Sequence, residues 1–345
     1  MKRIVLTEPG HIEVQETEMP KRREGETLLR LLYGGICGSD LGSYRGANFY
    51  ITYPRTIGHE FSAVVVETDG ASLRPGQLVT CNPYFNCGTC YSCRRGFVNC
   101  CVNNQTMGVQ REGAFADYIT VPTERVYDGE GIDPRELALV EPFCISHHGV
   151  SRANIVPGER VLVMGAGAIG ILAAVTAKLQ GAKVYIADIA PEKLAFVREH
   201  FPVDGCLLNG GDGSIAVAAE EITQGDGFDV TVEAAGAPAS FRACVEAAAP
   251  RGRMVQIGVS KKPAEFNFTL LQKKELCLMG SRAATREDFA QTMQLVREGR
   301  VDLSIGRDSP QEKAMHAGVT AAVCTISANR LLARARRDAD EARQG

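Results

Sequence analysis

The chain has 345 residues, 45% of them hydrophobic and 23% charged, which is enough apolar material for a sizeable core and excludes wholesale disorder. Single cores stop growing at roughly 250 to 300 residues, so two lobes are expected. A net charge of −3 offers no general surface for polyanions and argues against nucleic acid as a partner.

The N-terminal stretch MKRIVLTEPGHIEVQETEMP alternates apolar and charged residues without an apolar core of signal-peptide type. No run of about eighteen apolar residues follows anywhere, so a soluble, uncleaved, cytoplasmic protein is expected. Twelve cysteines would suit disulfides only in an oxidising compartment, and thiols or metal ligands are expected instead. Up to about residue 146 the texture is one of short β-rich segments with many glycines and prolines, which predicts a compact, barrel-like lobe.

Within that lobe lie GGICGSD (34 to 40) and TIGHEFSAVVVE (56 to 67), and at its end LVEPFCISHHGV (139 to 150). Each is weak alone, since a lone cysteine is usually a small core hydrophobe. Together they offer Cys37, His59, Glu60 and Glu141, a mixed sulfur, nitrogen and oxygen set that suits zinc with an exchangeable water or substrate position. Such a metal polarises an alcohol oxygen and lowers its pKa.

Residues 87 to 101, CGTCYSCRRGFVNCC, place Cys87, Cys90, Cys93 and Cys101 in the spacing CxxCxxCx7C. Two-residue gaps let thiolates converge on one ion at about 2.3 Å, and four of them close its shell, which describes a structural zinc site. An iron-sulfur cluster is the main rival, but the short gap and CysPro that follow in ferredoxin-type runs are absent. Free or redox thiols are the remaining alternative. Cys100 is expected to point away from Cys101 as a bystander.

Residues 160 to 190, RVLVMGAGAIGILAAVTAKLQGAKVYIADIA, run from an apolar strand into Gly165-x-Gly167-x-x-Gly170, with Ala168 and Ile169 inside the turn, then an alanine-rich helix and a second strand ending at Asp188. Strand, glycines, helix, strand and terminal acid in this order form a dinucleotide fingerprint. The glycines admit a pyrophosphate to the helix N-terminus. Asp188 would accept from the adenosine ribose and repel a 2′-phosphate, favouring NAD over NADP; the alternative is that it only caps the turn before Pro191.

Three further apolar runs, GFDVTVEAAG (227 to 236), RGRMVQIGVS (251 to 260) and KKELCLMGSR (273 to 282), extend a parallel sheet. Ligands of open α/β sheets sit beyond the strand C-termini, so Ala234 to Gly236, Ile257 to Val259 and Ser281 to Arg282 are expected to face cofactor or substrate. Arg282 would supply a fork for a carboxylate, or else pair with an acid at the surface.

With GICGSD, the GHE at 58 to 60, the four-cysteine lobe, GAFADY at 113 to 118, the EP at 141 to 142 and GAGAIG, the chain resembles the zinc-dependent medium-chain dehydrogenase/reductase family of alcohol, sorbitol and threonine dehydrogenases, over about residues 1 to 303. The resemblance implies an α/β protein with a GroES-like β-rich catalytic domain and a Rossmann doubly wound parallel-sheet domain. It implies zinc-assisted hydride transfer to NAD, one catalytic and one structural zinc, and a homodimer or homotetramer. Cys37, His59 and Glu141 would be zinc ligands and Glu60 a ligand or a neighbour that exchanges with substrate. Ser39 would hydrogen-bond the substrate hydroxyl and relay its proton; the histidine that many relatives carry three residues later is Gly42 here. His148 would lie near the cofactor or in the core. A narrower likeness, in GVQREGAFADYITVP, GIDPRELALVEPFCIS and KKELCLMGSRAATREDFA, is to L-galactonate and L-gulonate 5-dehydrogenases. Neutral polyol or L-threonine oxidation, and a noncatalytic zinc and nucleotide-binding protein, are the competing readings.

The expected domains are 1 to 146 (catalytic), 147 to 281 (NAD-binding), 282 to 306 (return to the catalytic domain) and 307 to 345 (an atypical tail). After EGRVDL (298 to 303) the tail lacks the strand, helix and strand by which relatives return. A divergent tail or a reading-frame shift near residue 304 would account for it.

Overall fold

The structure, a computed structural model, describes residues 1–211 and 213–304 and the backbone of Thr325–Ser327. The described residues form two compact units, one of Met1–Glu141 with Thr285–Ser304, the other of Pro142–Ala284.

The spine of the first unit is the strand Glu26–Gly35, whose sequence ETLLRLLYGG buries Leu28, Leu29 and Leu31. One edge pairs antiparallel with Glu60–Glu67, in a register that sets Leu29 opposite Val65 and Gly35 opposite Glu60. The other pairs with Tyr118–Pro122. Leu78–Cys81 and then Val126–Asp128 continue the sheet beyond Glu60–Glu67. Leu29, Phe61, Ala63, Val65 and Val79 pack into one core. A smaller sheet of His11–Glu16, Lys2–Glu8 and Arg55–Thr56 packs Ile4, Leu6, Ile57 and Phe115 into a second.

The helix Arg286–Arg297 belongs to this unit. Thr285 caps it, with Asp288 Oδ2 accepting from the Thr285 N–H at 2.8 Å and Asp288 N donating to Thr285 Oγ1 at 3.2 Å; such a reciprocal cap satisfies two orphan donors. Its apolar face buries Phe289, Met293 and Val296, and Phe289 stacks on Tyr127 at 5.3 Å.

The tail after residue 304 lies outside the described residues except at one place. Thr325–Ser327 pairs antiparallel with Tyr33–Gly35, so the chain does come back to the first unit, by a strand too short for its pattern to stand out in the sequence.

In the second unit six strands lie in the spatial order Gly205–Leu208, Lys183–Asp188, Arg160–Met164, Phe228–Glu233, Ala248–Gln256 and Cys277–Gly280, all pairs parallel. Strand residues alternate between the faces: Val161 and Val163 join Ala173, Ala177 and Val197 on one side, while Leu162 and Met164 join Ile215, Val245 and Met254 on the other. Burial on both faces is what near-continuous apolar runs dictate. The order reverses between Arg160–Met164 and Phe228–Glu233, where doubly wound sheets open a ligand crevice. Among the described residues no helix is long and apolar enough to cross a membrane.

Candidate active site and cofactor elements

Three segments of the first unit meet at one buried donor group. Gly35 ends the spine strand opposite Glu60, Cys37 follows as the cap of the helix Gly38–Tyr44, and His59 precedes Glu60. Donor atoms of Cys37, His59 and Glu60 all lie within 4.8 Å of one another. Asp40 locks the corner: its Oδ2 accepts the Cys37 N–H at 3.0 Å, and its Oδ1 lies 3.8 Å from His59 Nδ1. Glu141, in the first turn of the helix Val140–Ser151, is buried nearby and accepts a hydrogen bond from Tyr84 Oη. It stands outside the group of three, which is where its placement departs from the expectation of a direct ligand. Ser39 occupies the same helix start as Cys37.

The electrostatics show what this group fits. Burial, then Asp40 and Glu141, push the Cys37 thiol up to about 11. Burial, then Cys37 and Glu141, hold the Glu60 carboxyl well above the usual range. Burial also raises Glu141 and Asp40. For His59 burial acts downward, but Asp40, Glu141 and Glu60 outweigh it and the net shift is upward. Four acidic groups around one imidazole, with His59 Nδ1 buried and lacking a hydrogen-bond partner, make a pocket whose ionised form calls for a cation. Sulfur, nitrogen and oxygen donors in threes are what an open zinc site uses.

Cys87, Cys90, Cys93 and Cys101 also converge within 4.8 Å. Cys101 Sγ is 3.5 Å from Cys87 Sγ and 3.9 Å from Cys90 Sγ. Backbone and side-chain donors of Thr89, then the Cys90 N–H, pull the Cys87 thiol down to about 5, whereas burial pushes the neighbouring Cys101 thiol up to about 11. Such N–H to sulfur bonds stabilise the charged ligand form. Cys100 is exposed and outside the group, whereas Cys101 is buried.

In the second unit Gly165 has φ +111 and a side chain there would meet Ala235 N at 2.9 Å. Gly170 leaves no room beside the Gly165 carbonyl, yet a Cβ on Gly167 would meet nothing within 4 Å. The two outer glycines are thus required by the protein's own packing and the middle one faces open space, as the approach of a pyrophosphate requires. Gly167 caps the helix Ala168–Leu179 without a side-chain bond, which leaves its first-turn N–H groups, Ala168 and Ile169 among them, for an anion. Asp188 is mostly buried at the end of its strand; Oδ2 accepts from Ala166 N at 2.7 Å and Oδ1 from Ala190 N at 2.9 Å, with Lys193 Nζ 3.5 Å away. It caps the turn, and each oxygen retains capacity for a second donor.

Ala234 to Gly236 and Ile257 to Val259 follow directly on the strands ending at Glu233 and Gln256. Gly236, Ile257, Val259 and Ser281 are close to a cavity of about 360 Å³ or line it. Arg282 is exposed, two residues past the strand Cys277–Gly280. His148 is half-buried on its helix. Glu233 was not anticipated: fully buried, it accepts from Ala235 N, Gly236 N, Ser240 Oγ and Gln256 Nε2, so one carboxylate ties two of these loops together. Asp40 and Tyr84 were missed as well. Asp40 stood inside the GICGSD motif, whereas nothing near Tyr84 in the sequence signals its contact.

Comparison with known proteins agrees with this geometry. Residues 23–130 match the alcohol dehydrogenase GroES-like domain and residues 168–298 the zinc-binding dehydrogenase family. The L-galactonate-5-dehydrogenase of Escherichia coli K12 is 35% identical over 303 residues, 87% of this chain and 88% of that protein. The crystal structure of L-idonate 5-dehydrogenase from Escherichia coli K-12 superposes with a TM-score of 0.83 at 28% identity, covering 94% of this chain and 97% of that one. An Escherichia coli CFT073 alcohol dehydrogenase complexed with NADH gives 0.84 at 27% identity, covering 95% and 98%. The chain belongs to the zinc-dependent medium-chain dehydrogenases. It is an oxidoreductase with zinc and NAD(P) as cofactors and a small molecule as substrate.

Proposed function

We propose that this chain oxidises the C5 hydroxyl of a sugar acid, L-gulonate or L-galactonate, and passes the hydride to NAD. The observation that carries the reading is the convergence of half-buried Cys37 with buried His59 and Glu60, a donor set that leaves a tetrahedral ion one position for a substrate oxygen. Similarity to L-galactonate and L-idonate 5-dehydrogenases supports the sugar acid.

Cys37, His59 and Glu60 would hold the catalytic zinc, with Glu141 beside them. When bound, zinc supplies a Lewis acid that lowers the pKa of the hydroxyl. Ser39 would orient that hydroxyl and relay its proton; with Gly42 in place of a histidine, Glu60 or water would take the proton onward. Gly165, Gly167, Ala168, Ile169 and Gly170 seat the pyrophosphate. Asp188 accepts from the ribose and disfavours NADP, and Ala234, Gly236, Ile257 and Val259 border the cofactor. Arg282 forks the substrate carboxylate. Cys87, Cys90, Cys93 and Cys101 hold a closed zinc that folds their loop. The assembly is a cytoplasmic homodimer or homotetramer.

The test is NADH formation, followed by absorbance, with L-gulonate, L-galactonate, sorbitol and L-threonine. Turnover of the hexonates well above the other two is expected. Preference for sorbitol or L-threonine would overturn the sugar-acid reading.

A further inference from the structure

Tyr84 belongs to the strand Tyr84–Phe85, which pairs antiparallel with Gln105–Thr106. These two short strands form the stem from which the loop bearing Cys87, Cys90, Cys93 and Cys101 projects. The stem is held firmly. Arg111 and Arg125 place their guanidinium carbons 4.0 and 4.3 Å from the centre of the Phe85 ring, a contact that adds cation–π attraction to the packing. Arg125 also donates to the Tyr84 carbonyl oxygen and, at 3.3 Å, to Asn86 Oδ1. Asn86 Nδ2 in turn lies 3.9 Å from Cys93 Sγ as a donor. A continuous chain of contacts therefore runs from a cysteine of the loop to Tyr84.

From Tyr84 the chain continues inward. The phenol donates to Glu141 Oε1, on a helix 57 residues further along the sequence. Glu141 is 3% exposed, and a buried carboxylate without a donor swings, protonates or seeks a cation. Beside it stands the group of Cys37, His59 and Glu60, which Glu141 does not join. A fourth protein donor there would close the position a substrate oxygen needs.

We propose that Tyr84 is a positioning residue: its hydroxyl pins the Glu141 carboxylate beside, and outside, the group of Cys37, His59 and Glu60, and the folded four-cysteine loop sets where that hydroxyl stands. This rests on the reading that the three donors hold zinc. The loop then does more than stabilise its own fold. It keeps a site elsewhere in the same unit open.

The test uses the whole protein with cobalt(II) exchanged for zinc, whose visible absorption reports coordination without any substrate, alongside metal counting and L-gulonate oxidation by NAD. Tyr84→Phe is expected to shift the cobalt spectrum and to lower kcat/KM by about 10- to 100-fold, the usual effect of losing a partner behind a metal site. Asn86→Ala is expected to give a smaller change of the same kind with two metals retained. Because Tyr84 acts through Glu141, the double variant Tyr84→Phe/Glu141→Gln should be no worse than the poorer single variant. Additive losses, or a cobalt spectrum unmoved by Tyr84→Phe in a protein that binds two metals, would overturn the positioning role alone. A wild-type protein that binds metal only at the cysteine loop would overturn the zinc reading and the role of Tyr84 with it.

Discussion

Gly35 and Glu60 face each other across two antiparallel strands, and a Cβ on Gly35 would meet Glu60 Cβ at 2.9 Å. The absent side chain is what allows Glu60 to turn toward Cys37 and His59. Gly35→Ala is therefore expected to displace the carboxylate and to lower metal content at this group, with the four-cysteine metal retained. Metal counting by atomic emission on the purified variant, two per chain against one, reads the outcome.

Cys37→Ser removes the sulfur donor and should lose the metal from that group, with kcat reduced by on the order of 100-fold or more. Full turnover with two zinc ions per chain would refute the assignment. Burial holds the metal-free Cys37 thiol up to about 11 and Glu60 well above its usual range, so a metal has to displace protons to bind. Fewer protons compete as pH rises, and uptake by the metal-free protein is expected to strengthen steadily from pH 6 to pH 8 and to release protons, measurable by titration in weakly buffered solution.

Asp188→Ala removes the acceptor for Ala166 N and Ala190 N as well as the proposed ribose contact. KM for NAD should rise about ten-fold or more, with discrimination against NADP relaxed, since losing a hydrogen bond to a charged group costs about 1.5 to 3 kcal/mol. Unchanged NAD kinetics would remove Asp188 from the cofactor site.

Glu233→Ala would strand the buried Ala235 and Gly236 N–H groups and leave Ser240 Oγ and Gln256 Nε2 only the Ala237 and Gly258 carbonyls. A loss of about 3 kcal/mol of stability is expected, read by urea denaturation, together with weaker NAD binding. A variant of wild-type stability would mean that the two loops hold their shape without it.

For Arg282→Ala, KM for hexonates should rise about 10-fold, within the range for a charged hydrogen bond, while neutral polyols change little. Equal effects on both classes would argue against carboxylate recognition.

What the sequence discloses about these features follows from how local each one is. The glycine turn and Asp188 sit in one strand, helix and strand unit, and the four cysteines within fifteen positions, so spacing alone exposes both. Cys37 follows the end of one strand and the His59–Glu60 pair stands at the start of its neighbour, and they were recoverable from residue type and resemblance together. Tyr84 and Glu141 meet across 57 residues, and no periodicity predicts such a contact. Glu233 carries no signal in the sequence, because two of its four partners are backbone N–H groups, which every residue but proline has, and the other two, Ser240 Oγ and Gln256 Nε2, lie 7 and 23 residues away. The short strand Thr325–Ser327 escaped for lack of length.

That short strand has a protective consequence. Beside Tyr33–Gly35 it covers a stretch of backbone that Tyr118–Pro122, paired only with Glu26–Arg30, leaves open. Bare strand edges recruit strands from other molecules, so a chain cut at residue 303 would expose a sticky seam two residues from Cys37. Self-association at the threshold of the metal group is the failure expected of such a chain.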